Sequence, residues 1–78
     1  LKQIKMSNLG IESIPVRLFD ANKQLEKIGL NNNLLKDISS DIFDNLPLVD
    51  QGLQIYNNNF TFDQKKELKD RFKNFILV

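Results

Sequence analysis

The stretch Leu25-Glu26-Lys27-Ile28-Gly29-Leu30-Asn31-Asn32-Asn33-Leu34-Leu35 decides the fold, because its spacing Leu-x-x-Ile-x-Leu-x-x-Asn-x-Leu occurs three times in 78 residues. The copy before it is Leu1-x-x-Ile4-x-Met6-x-x-Leu9-x-Ile11, and the shorter copy after it is Leu53-x-Ile55-x-x-Asn58-x-Phe60. Ile4, Met6, Leu9, Ile11, Ile14 and Phe19 map onto Ile28, Leu30, Asn33, Leu35, Ile38 and Phe43 without a slip, a step of 24 residues. The next step is 25, with the extra residue expected within Asp50-Gln51-Gly52, where Gly52 tolerates an unusual backbone angle. Self-similarity at this period predicts a stack of repeats, each of which buries its apolar face against its neighbours.

Within each copy the alternation of apolar and polar side chains has the period of two that marks a strand with one buried face. Ile4 and Met6, Ile28 and Leu30, and Leu53 and Ile55 are expected to point inward. Lys5, Ser7, Lys27, Asn31, Gln54 and Tyr56 are expected on the outward face. Parallel stacking of such strands predicts a contiguous surface of these residues, with Tyr56 as its one large amphipathic anchor. The outer arcs carry Ile14, Pro15, Leu18 and Phe19, then Ile38, Ile42, Phe43 and Leu46. Pro15 limits regular helix, so the arcs are predicted as extended turns or one-turn helices, with Phe19 and Phe43 stacked as an aromatic spine.

This pattern resembles the leucine-rich repeat family, in particular the 24-residue form with consensus LxxLxLxxNxLxxLxxxxFxxL found in extracellular receptors. The second copy carries it most fully, with Leu25, Ile28, Leu30, Asn33, Leu35, Ile38, Phe43 and Leu46 in place. The resemblance implies an α/β solenoid with short parallel strands, irregular convex arcs and a C-terminal capping helix. It divides the chain into repeats over 1–60 (1–24, 25–48 and a partial 49–60) and a C-terminal capping helix over 61–78. It also implies a ladder in which Asn33 and Asn58 satisfy the backbone of adjacent coils, broken at Leu9 in the first copy. The chain opens inside a repeat at Leu1, which predicts a piece of a longer solenoid or a processed product.

After Phe60 the register fails and helical spacing takes over, with Leu68, Phe72, Phe75 and Ile76 as an apolar stripe sealing the last coil. Thr61 or Asp63 is expected to cap this helix, and Glu67 precedes Arg71 in the favourable order. Asn58-Asn59-Phe60-Thr61-Phe62-Asp63-Gln64 is similar to the opening of the cysteine-bearing caps of extracellular leucine-rich proteins, but Phe62 and Gln64 stand at the cysteine positions. The likeness implies a cap helix without its disulfides.

The chemistry of the side chains narrows the function. With no His and no Cys there is no imidazole base, thiolate nucleophile or Cys/His zinc cluster, so no catalytic, cofactor-binding or metal residue is assigned. Asp37, Asp41 and Asp44 lack the loop glycine and closing Glu of a calcium loop, and are read as a solvated outer arc in which Asp37 and Asp41 serve turns or caps. The 11 basic and 10 acidic residues are scattered singly and create no long-range field for nucleic acid or anionic lipid. The longest apolar run, Phe75-Ile76-Leu77-Val78, is far short of the roughly 20 residues of a membrane span, so no membrane contact is expected within this segment.

The expectation is therefore a non-enzymatic protein-recognition module, the C-terminal portion of an extracellular or cell-surface domain. By resemblance it is of the Toll-like receptor or invertebrate leucine-rich immune type. Its partner is a protein, with another leucine-rich chain among the candidates. Asn59-Phe60-Thr61 is an acceptor sequon for N-linked sugar, meaningful in a secreted chain. Two other readings stand beside it: an assembly segment that pairs through the edge of its first copy, Leu1 to Ile11, and an intracellular scaffold, which the lack of cysteine allows.

Overall fold

The computed structural model describes residues 2–78; Leu1, expected to open the first copy, lies outside the described residues. The fold is an α/β arrangement. Strands β1 (Gln3–Lys5), β2 (Lys27–Gly29), β3 (Leu53–Gln54) and β4 (Ile76–Leu77) form one parallel sheet in that order, and one helix, α1 (Phe62–Phe72), precedes the last strand. Ile4 pairs with Ile28, Ile28 with Leu53, and Leu53 with Ile76; the row beside it runs Lys5, Gly29, Gln54, Leu77. The sequence step of 24 and then 25 residues is thus the distance along the chain between pairing partners in neighbouring strands.

The period of two is obeyed. Ile28, Leu30, Leu53 and Ile55 are fully buried, whereas Lys5 and Lys27 are exposed. Ile4 and Met6 are only half-buried, because β1 is an edge strand with packing on one side. Each of the first three strands leads into a left-handed residue at the same place: Asn8 (φ 59°), Asn32 (φ 59°) and Asn57 (φ 57°). Asparagine adopts this region more readily than other side chains, so three aligned Asn positions turn the chain off the sheet in the same way.

The residue after the second and the third turning Asn fixes the stack. Asn33 is the one buried polar residue described, at 5% exposure. Its Nδ2 donates to Met6 O (2.9 Å) and Leu30 O (3.0 Å), and its Oδ1 accepts from the amides of Leu9 (3.0 Å) and Ile11 (3.1 Å). Asn58 does the same one copy on, donating to Leu30 O (3.1 Å) and Ile55 O (2.9 Å) and accepting from Leu35 N–H (3.0 Å). The ladder expected from the sequence therefore exists. Each amide reaches back to the preceding copy, and Leu9, standing at the ladder position of the first copy, is 63% exposed.

The outer arcs are turns, as Pro15 requires. Leu18, Asp20 and Asn22 donate to Pro15, Arg17 and Phe19 carbonyls in the first, and the second holds a 3-10 turn, Ser40–Phe43, capped by Ser39. Phe19 and Phe43 are buried beneath them with ring centroids 5.8 Å apart, tilted by 31° rather than stacked flat. Phe72 of α1 meets Phe43 edge-on, also at 5.8 Å. The spine thus has three rings, and the helix is bound to the arcs through the third.

Two expectations are corrected. The helix does not run to Val78: it ends at Phe72, and Lys73 takes a positive φ of 48° that no helix sustains. After a 3-10 turn (Lys73–Phe75), Ile76 and Leu77 pair with β3, and Val78 packs against the core. The open edge of β3 offers main-chain partners that another helical turn would leave unused, as the bond from Ile55 N–H to Leu77 O (2.8 Å) illustrates. Leu68, Phe72 and Ile76 are buried, but Phe75 is 46% exposed and not part of the buried stripe.

The second correction concerns the extra residue before β3. It lies in the expected stretch, but Gln51, not Gly52, takes the left-handed angle (φ 56°). Gly52 is required for another reason: a Cβ there would lie 2.4 Å from Glu26 O and 2.9 Å from Val49 O. Gly29 is under no such pressure, although glycine within a strand costs about 0.5–1 kcal/mol relative to alanine.

Thr61 caps α1, accepting from Gln64 N–H at 3.2 Å, while the Gln64 side chain donates to Ile38 O (3.3 Å) and ties the helix to the second arc. Arg71 forks onto the same arc, Nε to Asp44 Oδ1 (3.2 Å) and Nη2 to Asp41 Oδ1 (2.9 Å). The hydrogen bond to Asp44 holds the Arg71 pKa above its ordinary value. Asp41 and Asp44, read from sequence as solvated arc residues, are therefore joined to the helix; Asp37 is exposed.

Candidate functional site

The outward face of the sheet is organised in rows set by the strand register. Gln3 faces Lys27; Lys5, Gly29, Gln54 and Leu77 form the next row. Bonds from Asn8 N–H to Asn31 O (3.4 Å) and from Asn32 N–H to Tyr56 O (3.0 Å) carry the register one step further, placing Ser7, Asn31 and Tyr56 in a third row. The six residues predicted for this surface, Lys5, Ser7, Lys27, Asn31, Gln54 and Tyr56, thus come together on one face although they are spread from position 5 to position 56 of the sequence.

The face has two parts. In the third row, Ser7 Oγ donates to Asn31 Oδ1 (2.9 Å), and beyond it Asn57 Nδ2 donates to Asn32 Oδ1 (2.8 Å), so side chains of neighbouring copies brace one another. Tyr56, 36% exposed, stands beside this braced strip. Under it, Lys5, Lys27, Gln54, Gln3, Gly29 and Gly52 line a shallow cleft of about 240 Å³, with Ile4 and Ile28 at its floor. No carboxylate lines the cleft, and among the described residues neither lysine takes part in an ion pair; the nearby Glu26 pairs instead with Lys2 at 3.7 Å.

One contributor escaped the sequence reading. Leu77 completes the second row, a place signalled by Ile76-x-Val78, which repeats the spacing of Ile28-x-Leu30. Gln3 and Gly29, outward by the same alternation of two, line the cleft. Asn59 lies outside this face, exposed at the start of the helical segment; its main-chain N–H donates to Leu35 O (2.8 Å), and Thr61 of the same sequon is the helix cap. Comparison with protein-family models, with curated proteins and with solved structures returns no match. The chemistry the face offers is ammonium, amide, hydroxyl and one phenol, a set suited to recognition by hydrogen bonds and charge.

Proposed function

We propose that the chain is a protein-recognition module built on a leucine-rich-repeat solenoid, binding a protein partner through the outward, concave face of its strands. The observation that carries this reading is the convergence of Lys5, Ser7, Lys27, Asn31, Gln54 and Tyr56 on one sheet face by a register equal to the repeat step. A repeated scaffold that projects non-repeated side chains from one face is suited to binding a partner without doing chemistry on it. A non-enzymatic role is supported by the lack of His and Cys. Tyr56 supplies the aromatic anchor that such interfaces favour. The extracellular, receptor or innate-immune setting rests on the resemblance and on the exposed sequon at Asn59.

A photoreactive side chain tests the reading when placed at Ser7 or Gln54 and, as a control, at Phe62 on α1, in cells that secrete the protein. Cross-linking of one protein species from Ser7 and Gln54 but not from Phe62 supports it. Cross-linking from Phe62 alone refutes it.

One observation favours a second reading, assembly through the first copy. Ile4, Met6, Ile11 and Ile14 are only half-buried, and Leu9 and Val16 are 63% and 66% exposed, so the apolar side of the first copy is open next to an edge strand. Sedimentation over a range of concentrations separates the two readings. A monomer at all concentrations removes the assembly reading, whereas reversible dimers that vanish in Met6→Glu support it.

A further inference from the structure

Gly52 and Gly29 both serve the sheet, yet only Gly52 is dictated by packing. A Cβ on Gly29 would meet Ser7 Oγ at 3.6 Å, Asn31 Oδ1 at 3.7 Å and Ile4 O at 3.8 Å, all ordinary contacts, and Gly29 is not among the residues with positive φ. Neither space nor backbone angle calls for glycine at a strand position where alanine is the more stable residue. What glycine contributes here is the absence of a side chain. In the row Lys5, Gly29, Gln54 it leaves a gap between β1 and β3, which stand about 10 Å apart at ordinary strand spacing.

The rim of that gap carries the cations, while the atoms nearest its base are oxygens, Ser7 Oγ, Asn31 Oδ1 and Ile4 O. Lys5 and Gln54 flank it across the sheet, Lys27 precedes it on β2 and Asn31 follows it. Both lysines are exposed and take no part in an ion pair among the described residues, and no acidic side chain lines the cleft. Two unneutralised cations and a carboxamide around an empty side-chain position complement an anion of side-chain size. An apolar group would desolvate the ammonium groups without replacing their hydrogen bonds.

We infer that the gap over Gly29 receives one carboxylate side chain, Asp or Glu, presented by the protein partner, with Lys5 and Lys27 as its cations and Gln54 as a further donor. The inference rests on the recognition reading above and assigns the partner an acidic residue at the centre of its contact with the sheet.

The test is an NMR titration of the whole chain, labelled with nitrogen-15, at low salt. The probes are the blocked tripeptides acetyl-Gly-Glu-Gly-amide and acetyl-Gly-Gln-Gly-amide. The Glu peptide is expected to shift the amide resonances of Lys5, Lys27, Gly29 and Gln54 saturably, and to bind about tenfold tighter than the Gln peptide, the ratio given by one charge-assisted hydrogen bond. Gly29→Leu, which fills the gap, and the double variant Lys5→Gln/Lys27→Gln are each expected to abolish the difference between the peptides. Equal response to both peptides, shifts centred on Lys65, Lys66 and Lys69 of α1, or undiminished Glu-peptide binding by either variant overturns the inference. A partner cross-linked from Ser7 in wild type and Gly29→Leu alike removes the carboxylate site but leaves the recognition reading intact. Loss of cross-linking from the whole face removes both.

Discussion

Asn33 and Asn58 donate to the same acceptor: Leu30 O takes a hydrogen bond from Asn33 Nδ2 at 3.0 Å and from Asn58 Nδ2 at 3.1 Å. A carbonyl has two lone pairs, so this oxygen is saturated by side chains from two consecutive copies. The amides form a chain, in which Leu30 O links the group that holds the first copy to the group that holds the second. Removing the buried Asn33 side chain takes away the partner of the Leu9 and Ile11 amides and of the Met6 carbonyl. Asn33→Ala is expected to cost about 3 kcal/mol, a sum of desolvation penalties of roughly 1–3 kcal/mol each, part of which water recovers. Asn58→Ala should cost less, since Asn58 is half-buried. Urea denaturation of both single variants and the double variant checks this, and non-additivity of about 0.5 kcal/mol or more is expected from the shared carbonyl.

Phe43 is the middle ring of three, 5.8 Å from both Phe19 and Phe72, and 1% exposed. Phe43→Ala removes contacts to both neighbours at once and is expected to destabilise by about 3–5 kcal/mol. In a domain this small, such a loss approaches the whole folding free energy. Thermal unfolding followed by circular dichroism reads it out, and an unchanged midpoint would mean that the spine does not hold the arcs.

The C-terminal segment gives a paired test. Ile76 is buried as part of β4, whereas Phe75 is 46% exposed. Ile76→Ala is expected to cost about 2–5 kcal/mol, while Phe75→Ala, the larger truncation, should cost under about 1 kcal/mol. A continuous helix through residue 78 would reverse that order, because both residues would then lie on its apolar stripe.

The two glycines should respond with opposite signs. Gly52→Ala drives a Cβ into main-chain oxygens at 2.4 and 2.9 Å and is expected to destabilise by about 3 kcal/mol. Gly29→Ala meets only ordinary contacts and is expected to stabilise by about 0.5–1 kcal/mol. Chemical denaturation of the two variants side by side measures the contrast.

How far the sequence reaches depends on whether a feature is periodic. The inward residues of the first three strands, the turn-like arcs, the Asn33 and Asn58 ladder and the pairing of Phe19 with Phe43 all follow from one repeat step, and each was legible. The rows of the candidate site follow from that step too, which is why Lys5, Lys27 and Gln54 were placed on one face. β4 was hidden because Leu68, Phe72, Phe75 and Ile76 satisfy a helical stripe, while the competing signal, Ile76-x-Val78, is only one alternation long. The free edge of β3 decides between them, and that edge is a non-local fact. The fork of Arg71 onto Asp41 and Asp44 spans 30 and 27 residues and belongs to no pattern. The packing demand for glycine at Gly52, and its absence at Gly29, depend on atoms around a Cβ that neither residue has.

The central claim is that the repeat step is the strand register, so that Lys5, Gly29 and Gln54 lie side by side across one sheet, with Leu77 added at the free edge of β3 from beyond the repeats. Nuclear Overhauser measurements on the labelled chain test it most directly. Cross-strand contacts between main-chain protons of Lys5 and Gly29, Gly29 and Gln54, and Gln54 and Leu77 are the expected result. Sequential helical contacts through residues 73–77, with none joining Gly29 to Gln54, would contradict it.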